Sequence, residues 1–140
     1  MAVHCLWLAV KHRGLNVPTA ANPGIETGGM VGESKMVTLK DLFATNPNFT
    51  AEAALIEGET FAERRQSIET ITANFGLGVP FIMKPDMGQR GAGIKLIRTR
   101  AQAENYLRQT SAPLIAQRYA PGPFEVGIFY YRFPHETHGH

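Results

Sequence analysis

The chain has 140 residues, 44% of them hydrophobic and 19% charged, with a formal net charge of +2. That length makes one domain with room for a core, and a charge so near zero gives no electrostatic case for a nucleic-acid partner. The single cysteine, Cys5, excludes an intramolecular disulfide and suits a reducing compartment; the apolar run at 5–10 is too short to span a bilayer or to form a signal core, so the expectation is a cytoplasmic protein with no membrane partner.

Residues 3–12 read as a short helix, with Trp7, Leu8 and Val10 apolar, Lys11, His12 and Arg13 at its end, and Gly14 just after. Residues 14–34 read as loop, punctuated by Asn22-Pro23-Gly24, Gly28-Gly29 and Gly32. A glycine-rich loop of that length in a small domain is often functional. Ser34 is placed to cap a helix over 35–43, whose Met36, Leu39, Leu42 and Phe43 share a face, and Asn46-Pro47-Asn48 breaks it. Residues 52–57 are a weak strand. Thr60 with Glu63 three later is a capping box opening a helix to 74. Phe61, Ile68, Ile71 and Phe75 line one side of it, and Gly76 and Gly78 end it. A strand over 79–84, a glycine loop and a strand over 93–98 follow. Thr99 and Gln102 form a second capping box, for a helix to about 109 with Ala103, Tyr106 and Leu107 inward. Pro113 leads into a strand over 114–119, Pro121-Gly122-Pro123 makes a hard turn, and the aromatic-rich 125–132 reads as a further strand. There is no internal repeat. The order predicts an α+β fold: a small mixed or antiparallel sheet with helices on one face. The expected division is an N-terminal helix and loop over 1–34, a main unit over 35–120 and the opening of another layer over 121–140. A chain that enters an apolar segment at once and stops just after a strand-like run suggests a fragment.

The chemistry concentrates in VPFIMKPDMGQRGAGIKL, beginning at Val79. An apolar strand ends in Lys84-Pro85, a loop with Gly88, Gly91 and Gly93 follows, and a second apolar run returns. Glycine lets backbone amides approach oxygens and take positive φ, successive N–H groups make an anion cradle, and the lysine adds a point charge. Such a hairpin can fold over a polyphosphate. The plainer readings are an ordinary hairpin loop and a lysine that guards an edge strand.

The order of these landmarks resembles the ATP-grasp fold, most closely the D-alanine–D-alanine ligase-like branch and related carboxylate–amine ligases. The resemblance covers roughly residues 32–132. Gly32-Glu33-Ser34-Lys35 opening a helix is similar to the segment carrying a first ATP-contacting lysine. Phe81-Ile82-Met83-Lys84-Pro85 resembles the strand with a second lysine, and Gly88-Gln89-Arg90-Gly91-Ala92-Gly93 the flap over the phosphates. Residues 114–122, LIAQRYAPG, resemble the strand that lines the adenine pocket, and Glu125 stands near the acid that binds the ribose. The segment 19–29 is not a general mark of that fold.

The resemblance implies that Lys84 contacts the α- and β-phosphates and Lys35 approaches them from the other side. It implies that flap amides from Gln89, Arg90, Gly91 and Ala92 cover the β- and γ-phosphates, with the Arg90 side chain either clamping a phosphoryl oxygen or simply solvated. Backbone groups of Arg118 and Ala120 would meet the adenine edge. Gln117 stands where relatives often have glutamate facing the adenine amino group, a mild departure since a carboxamide oxygen also accepts. Ile82, Ile115 and Tyr119 are either a sandwich for the base or core. Glu125 would hold the ribose, offset by one position from the usual order, or is an outward strand carboxylate.

The resemblance further implies ATP and Mg²⁺ as cofactors, with metal ligands beyond the C-terminus of this chain, and small-molecule carboxylate and amine (or thiol) substrates joined through an acylphosphate. A chain carrying the nucleotide clamp without metal ligands is expected not to turn over alone. His135, His138 and His140 lack partner ligands for a metal site. The competing readings are a non-catalytic nucleotide-binding or interaction module and a small α+β protein with no nucleotide. Convergence of Lys35 and Lys84 on one cleft under the glycine loop separates the last from the others.

Overall fold

The computed structural model describes residues 2–14, 22, 24–29, 32–88, 91–133 and 135–140. Helix α1 runs over Ala2–Lys11 and α2 over Lys35–Thr45. Strand β1 is Ala53–Ile56, and helix α3 is Phe61–Asn74. Strands β2 and β3 are Phe81–Pro85 and Lys95–Ile97; helix α4 is Arg100–Gln109 and strand β4 is Leu114–Arg118. A short 3₁₀ turn, Glu26–Gly29, lies in the glycine-rich stretch. Residues 15–21, 23, 30 and 31 of that stretch, which include the 19–21 portion of the segment set aside above, lie outside the described residues.

The helix starts obey their capping chemistry. Thr60 Oγ1 accepts from the Glu63 amide, while the Glu63 carboxylate accepts from the Thr60 and Glu59 amides, and those bonds hold the Glu63 carboxyl below the usual carboxylate range. At α4, Thr99 Oγ1 accepts from Gln102 N, but the return bond runs from Arg98 N to Gln102 Oε1. The second box is thus shifted one residue outward.

All strand pairs are antiparallel, in the order β1-β4-β2-β3. β4 enters between β1 and β2, with Met83 opposite Ala116 and Ala116 opposite Ala54. The weak 52–57 segment therefore belongs to the same sheet as the β2–β3 hairpin. Side chains alternate across a strand, and one face carries Ile56, Phe81, Met83, Ile97, Leu114 and Ala116 into the core. Helices α3 and α4 close that face with Ile68, Ile71, Ala103, Tyr106 and Leu107. Ile82, Lys84, Ile115 and Gln117 alternate onto the opposite face. Buried Arg64 of α3 donates from Nη1 to Thr110 O (2.5 Å) and from Nη2 to Ala112 O (3.0 Å), fastening α3 to the turn before β4.

The expected strand over 125–132 is not formed. Phe124, Val126, Ile128 and Phe129 are all exposed, and no described strand pairs with the segment. Its described backbone bonds close on the chain's own end: His140 N donates to Tyr131 O (2.9 Å) and Tyr131 N to His140 O (3.3 Å). Strand-like composition needs a neighbouring ladder and a face to bury, and this segment has neither here. Among the described residues, the start of another layer over 121–140 accordingly has no strand to carry it. Among the described residues, no helix is long and apolar enough to cross a membrane.

Replacing Arg64 by Met keeps the stem but leaves the Thr110 and Ala112 carbonyls without their donor. The expected loss is about 1–3 kcal/mol, read as a lower urea midpoint at unchanged slope; an unchanged midpoint would show that water replaces the guanidinium without cost.

Candidate functional site

The site forms where β2 runs out. Asp86, the residue after the strand, is buried, and its amide donates to Pro113 O (2.9 Å), just before β4. Its acceptors face the start of α2. Asp86 O accepts from Lys35 N (3.2 Å), and Asp86 Oδ1 accepts from Met36 N (2.9 Å) and from Ser34 Oγ (3.0 Å). Ser34 Oγ in turn accepts from Val37 N (3.2 Å). The first amides of a helix have no intrahelical partners; here Asp86 and Ser34 supply them. The predicted Ser34 cap is thus present, and Asp86 shares the work.

This junction brings the two lysines together. Lys35 Nζ donates to Asp86 O (3.0 Å) and to Gly88 O (2.9 Å), so it reaches across to the β2–β3 loop. Lys84 comes off β2 on the face away from the core, and its Nζ donates to Gln117 Oε1 at 2.7 Å. Lys35, Lys84, Gly88, Gly91 and Ala92 line one hollow of about 60 Å³. That is a phosphate's scale, below the roughly 300–1,000 Å³ of a small-molecule pocket, so a larger ligand would extend beyond this lining. Burial is the main cause that holds the Lys84 ammonium below the ordinary lysine range; the Lys35 charge adds to it, and the Asp86 carboxylate opposes it.

The glycines divide their roles. Gly93 has φ +77°, and a Cβ there would sit 2.7 Å from Pro85 Cγ. Tyr106 Oη donates to Gly93 O at 2.6 Å. Gly93 therefore serves the packing of the loop's return on β2 and α4, whereas Gly88 and Gly91 face the hollow. Gln89 and Arg90 lie outside the described residues.

The other expected positions separate into two groups. Gln117 joins the lysines: besides accepting from Lys84, it donates from Nε2 to Ala51 O (3.3 Å). Arg118, next along β4, alternates to the other face. Its guanidinium pairs with the Glu52 carboxylate and donates to Phe75 O (2.7 Å), and its amide donates to Glu52 O (2.8 Å). Ala120 and Glu125 are exposed, with no described hydrogen bond linking them to the lysines. Ile115 is fully buried, Ile82 is half-buried, and Tyr119 is exposed at the strand's end; Ile115 is therefore core rather than a surface for a ligand.

Asp86 is the site residue that sequence reasoning missed. Its signal was the acid directly after Lys84-Pro85, at a strand end where an aspartate can bond neighbouring backbone; what it would cap was not visible in the sequence. A larger groove of about 400 Å³ lies between α2 and β1, lined by Met36, Leu39, Phe43, Leu55 and Phe75 among others. It is mostly apolar and has no convergence of cations like that beside Lys84.

Among the described residues, no group of three or more His, Cys, Asp or Glu side chains is placed to hold a metal ion. Comparisons with protein-family models, curated proteins and solved structures found no match to the chain.

Two outcomes follow from this geometry. A lowered folded-state pKa means that the native chain binds fewer protons at Lys84 than the unfolded chain does, in the window just below the ordinary value of 10.5. Stability then rises with pH through that window, while below it both states hold the proton and the ionised ammonium carries a constant cost. Urea midpoints from pH 7 upward should show wild type gaining relative to Lys84→Met as pH approaches 10.5; a gap independent of pH would contradict the burial. Asp86→Ala removes two of the bonds at the start of α2 and should cost about 1–3 kcal/mol, with increased amide exchange at Met36; protection of Met36 equal to wild type would refute the capping role.

Proposed function

We propose that this chain supplies the nucleotide grip of an ATP-grasp enzyme, in the branch of ATP-dependent carboxylate–amine (or thiol) ligases. The observation that carries the reading is the convergence of Lys35 and Lys84 on one hollow beneath a glycine-rich loop. Their closeness is expressed in the effect of the Lys35 charge on Lys84. Compact ammonium groups on long stems suit phosphate oxygens. The loop follows the end of β2, which pairs with the start of antiparallel β4; in this reading the nucleoside lies along β4, from the loop toward Arg118 and Ala120.

In this reading Lys35 and Lys84 hold phosphates, and backbone amides near Gly91 and Ala92 cover them, with Gln89 and Arg90 completing the loop. Arg118 and Ala120 offer backbone carbonyls at the adenine edge, and Glu125 reaches the ribose. The Arg118 amide already bonds Glu52 O, so in this reading the carbonyl is the group that would meet the base. Among the described residues no acidic cluster is placed to hold Mg²⁺; the ion, if bound with the ATP phosphates, would supply charge neutralisation there. The reaction proposed for the enzyme transfers the γ-phosphoryl group to a carboxylate oxygen, giving an acylphosphate and ADP. An amine or thiol then attacks the acyl carbon, and inorganic phosphate leaves. The contribution of Lys35 and Lys84 to such a step is positioning and charge stabilisation.

Isothermal titration with ATP and Mg²⁺ tests the grip. Lys84→Ala should weaken binding by at least about tenfold, the order expected for loss of a charge-assisted phosphate contact, and Lys35→Ala should act in the same direction. Equal affinity of wild type and Lys84→Ala, with both folded by urea midpoint, would remove the assignment.

A further inference from the structure

Both ammonium groups of the cleft are held by neutral acceptors. Lys35 Nζ bonds the carbonyls of Asp86 and Gly88, and Lys84 Nζ bonds the carboxamide oxygen of Gln117. Among the described residues, neither lysine forms an ion pair with a carboxylate. The acid at the end of β2, Asp86, commits Oδ1 to Ser34 and to the Met36 amide. The orientation of Gln117 is chemically forced: the end facing an ammonium must be the oxygen, and the end facing Ala51 O must be the amide nitrogen.

A neutral acceptor fixes where an ammonium sits without cancelling its charge; a carboxylate there would do both. An ammonium has three donors, so the described bonds leave two on Lys84 and one on Lys35 for a ligand. Two like charges side by side in a half-buried cleft repel. A ligand with at least two negative charges relieves that repulsion and meets the remaining donors. Of the groups that could read a base edge, the side chain and amide on β4 are, in contrast, already engaged in the sheet, which leaves the Arg118 carbonyl and the Ala120 backbone as the weaker, neutral contacts. The Gln117 carboxamide bonds at both ends, the Arg118 amide bonds Glu52 O, and Ile115 is buried.

Resting on the nucleotide reading above, we infer that the cleft selects its ligand by the triphosphate chain rather than by the base, with Gln117 as a neutral positioning residue that holds Lys84 without discharging it. A nucleoside triphosphate and inorganic tripolyphosphate share that chemistry. Among the described residues, the charges that act on Lys84 are those of Lys35 and Asp86, so a carboxylate introduced at position 117 would be a new and adjacent charge.

The test uses the full chain and titrates ATP with Mg²⁺, GTP with Mg²⁺ and inorganic tripolyphosphate into wild type, Gln117→Glu and Gln117→Met. The Lys84 ¹³Cε resonance is followed against pH in each protein. Wild type should bind all three ligands within about tenfold of one another. Gln117→Glu, close in shape, should weaken all three by about tenfold and move the Lys84 midpoint upward. Gln117→Met should also weaken binding but move the midpoint downward, because it removes the acceptor and adds no charge. Opposite midpoint shifts are a signature that a merely structural role would not produce. Shifts in the same direction, undiminished binding by Gln117→Glu, or a preference for ATP over GTP beyond about a hundredfold would overturn the inference. ATP binding without tripolyphosphate binding would overturn it and leave the nucleotide reading standing. Tripolyphosphate without either nucleotide would do the reverse, and binding of neither would remove both.

Discussion

Asp86 joins three parts of the chain that nothing else described brings to one point. Its amide holds the residue before β4, its carbonyl and carboxylate hold the first turn of α2, and its own position follows directly from the end of β2. A helix start needs acceptors for its unpaired amides, and a buried carboxylate needs donors. Each satisfies the other here. Lys35 is carried in that first turn, so the same bonds that stabilise α2 set the ammonium against the β2–β3 loop and within reach of Lys84. Local structure and site geometry are one arrangement at this point.

The two faces of the sheet carry different side chains. The face under α3 and α4 is apolar and closed, from Ile56 on one edge strand to Ile97 on the other. The opposite face carries Lys84 and Gln117, bonded diagonally across adjacent strands. Because strand side chains alternate, Met83 can be wholly buried while Lys84, the next residue, is half-buried and bonds Gln117 on the other face. The half-burial of Lys84 costs the fold something at neutral pH, and it makes the ammonium's charge stronger toward an anion, since a less aqueous setting screens less.

Much of the scaffold was legible because it rests on short-range rules. The Thr60–Glu63 box, the Ser34 and Thr99 caps, the inward face of α4 and the lysine–glycine hairpin all follow from residues within a few positions of each other. Two readings needed more than that. The 52–57 strand was weak on its own composition and exists because β4 supplies its ladder. The 125–132 segment was strong on composition and forms no strand because no described neighbour supplies one. The role of Gly93 also lay in tertiary contact, with Pro85 and Tyr106, rather than in its motif.

The sequence by itself determined the helices and their starts, the hairpin with its lysine and the α+β class, since capping, periodicity and glycine chemistry act over a few residues. Only the tertiary structure decided that Lys35 and Lys84 share a hollow, that Asp86 puts them there, that Gln117 faces Lys84 while Arg118 faces away, and that the sheet is wholly antiparallel with β4 at its centre. Those facts depend on pairing partners and strand order remote in the chain, and a one-residue change of register on β4 would exchange Gln117 and Arg118 between the faces. The lysine–glycine hairpin could therefore be read in one dimension, whereas the grouping of its lysine with Lys35 and Gln117 could not.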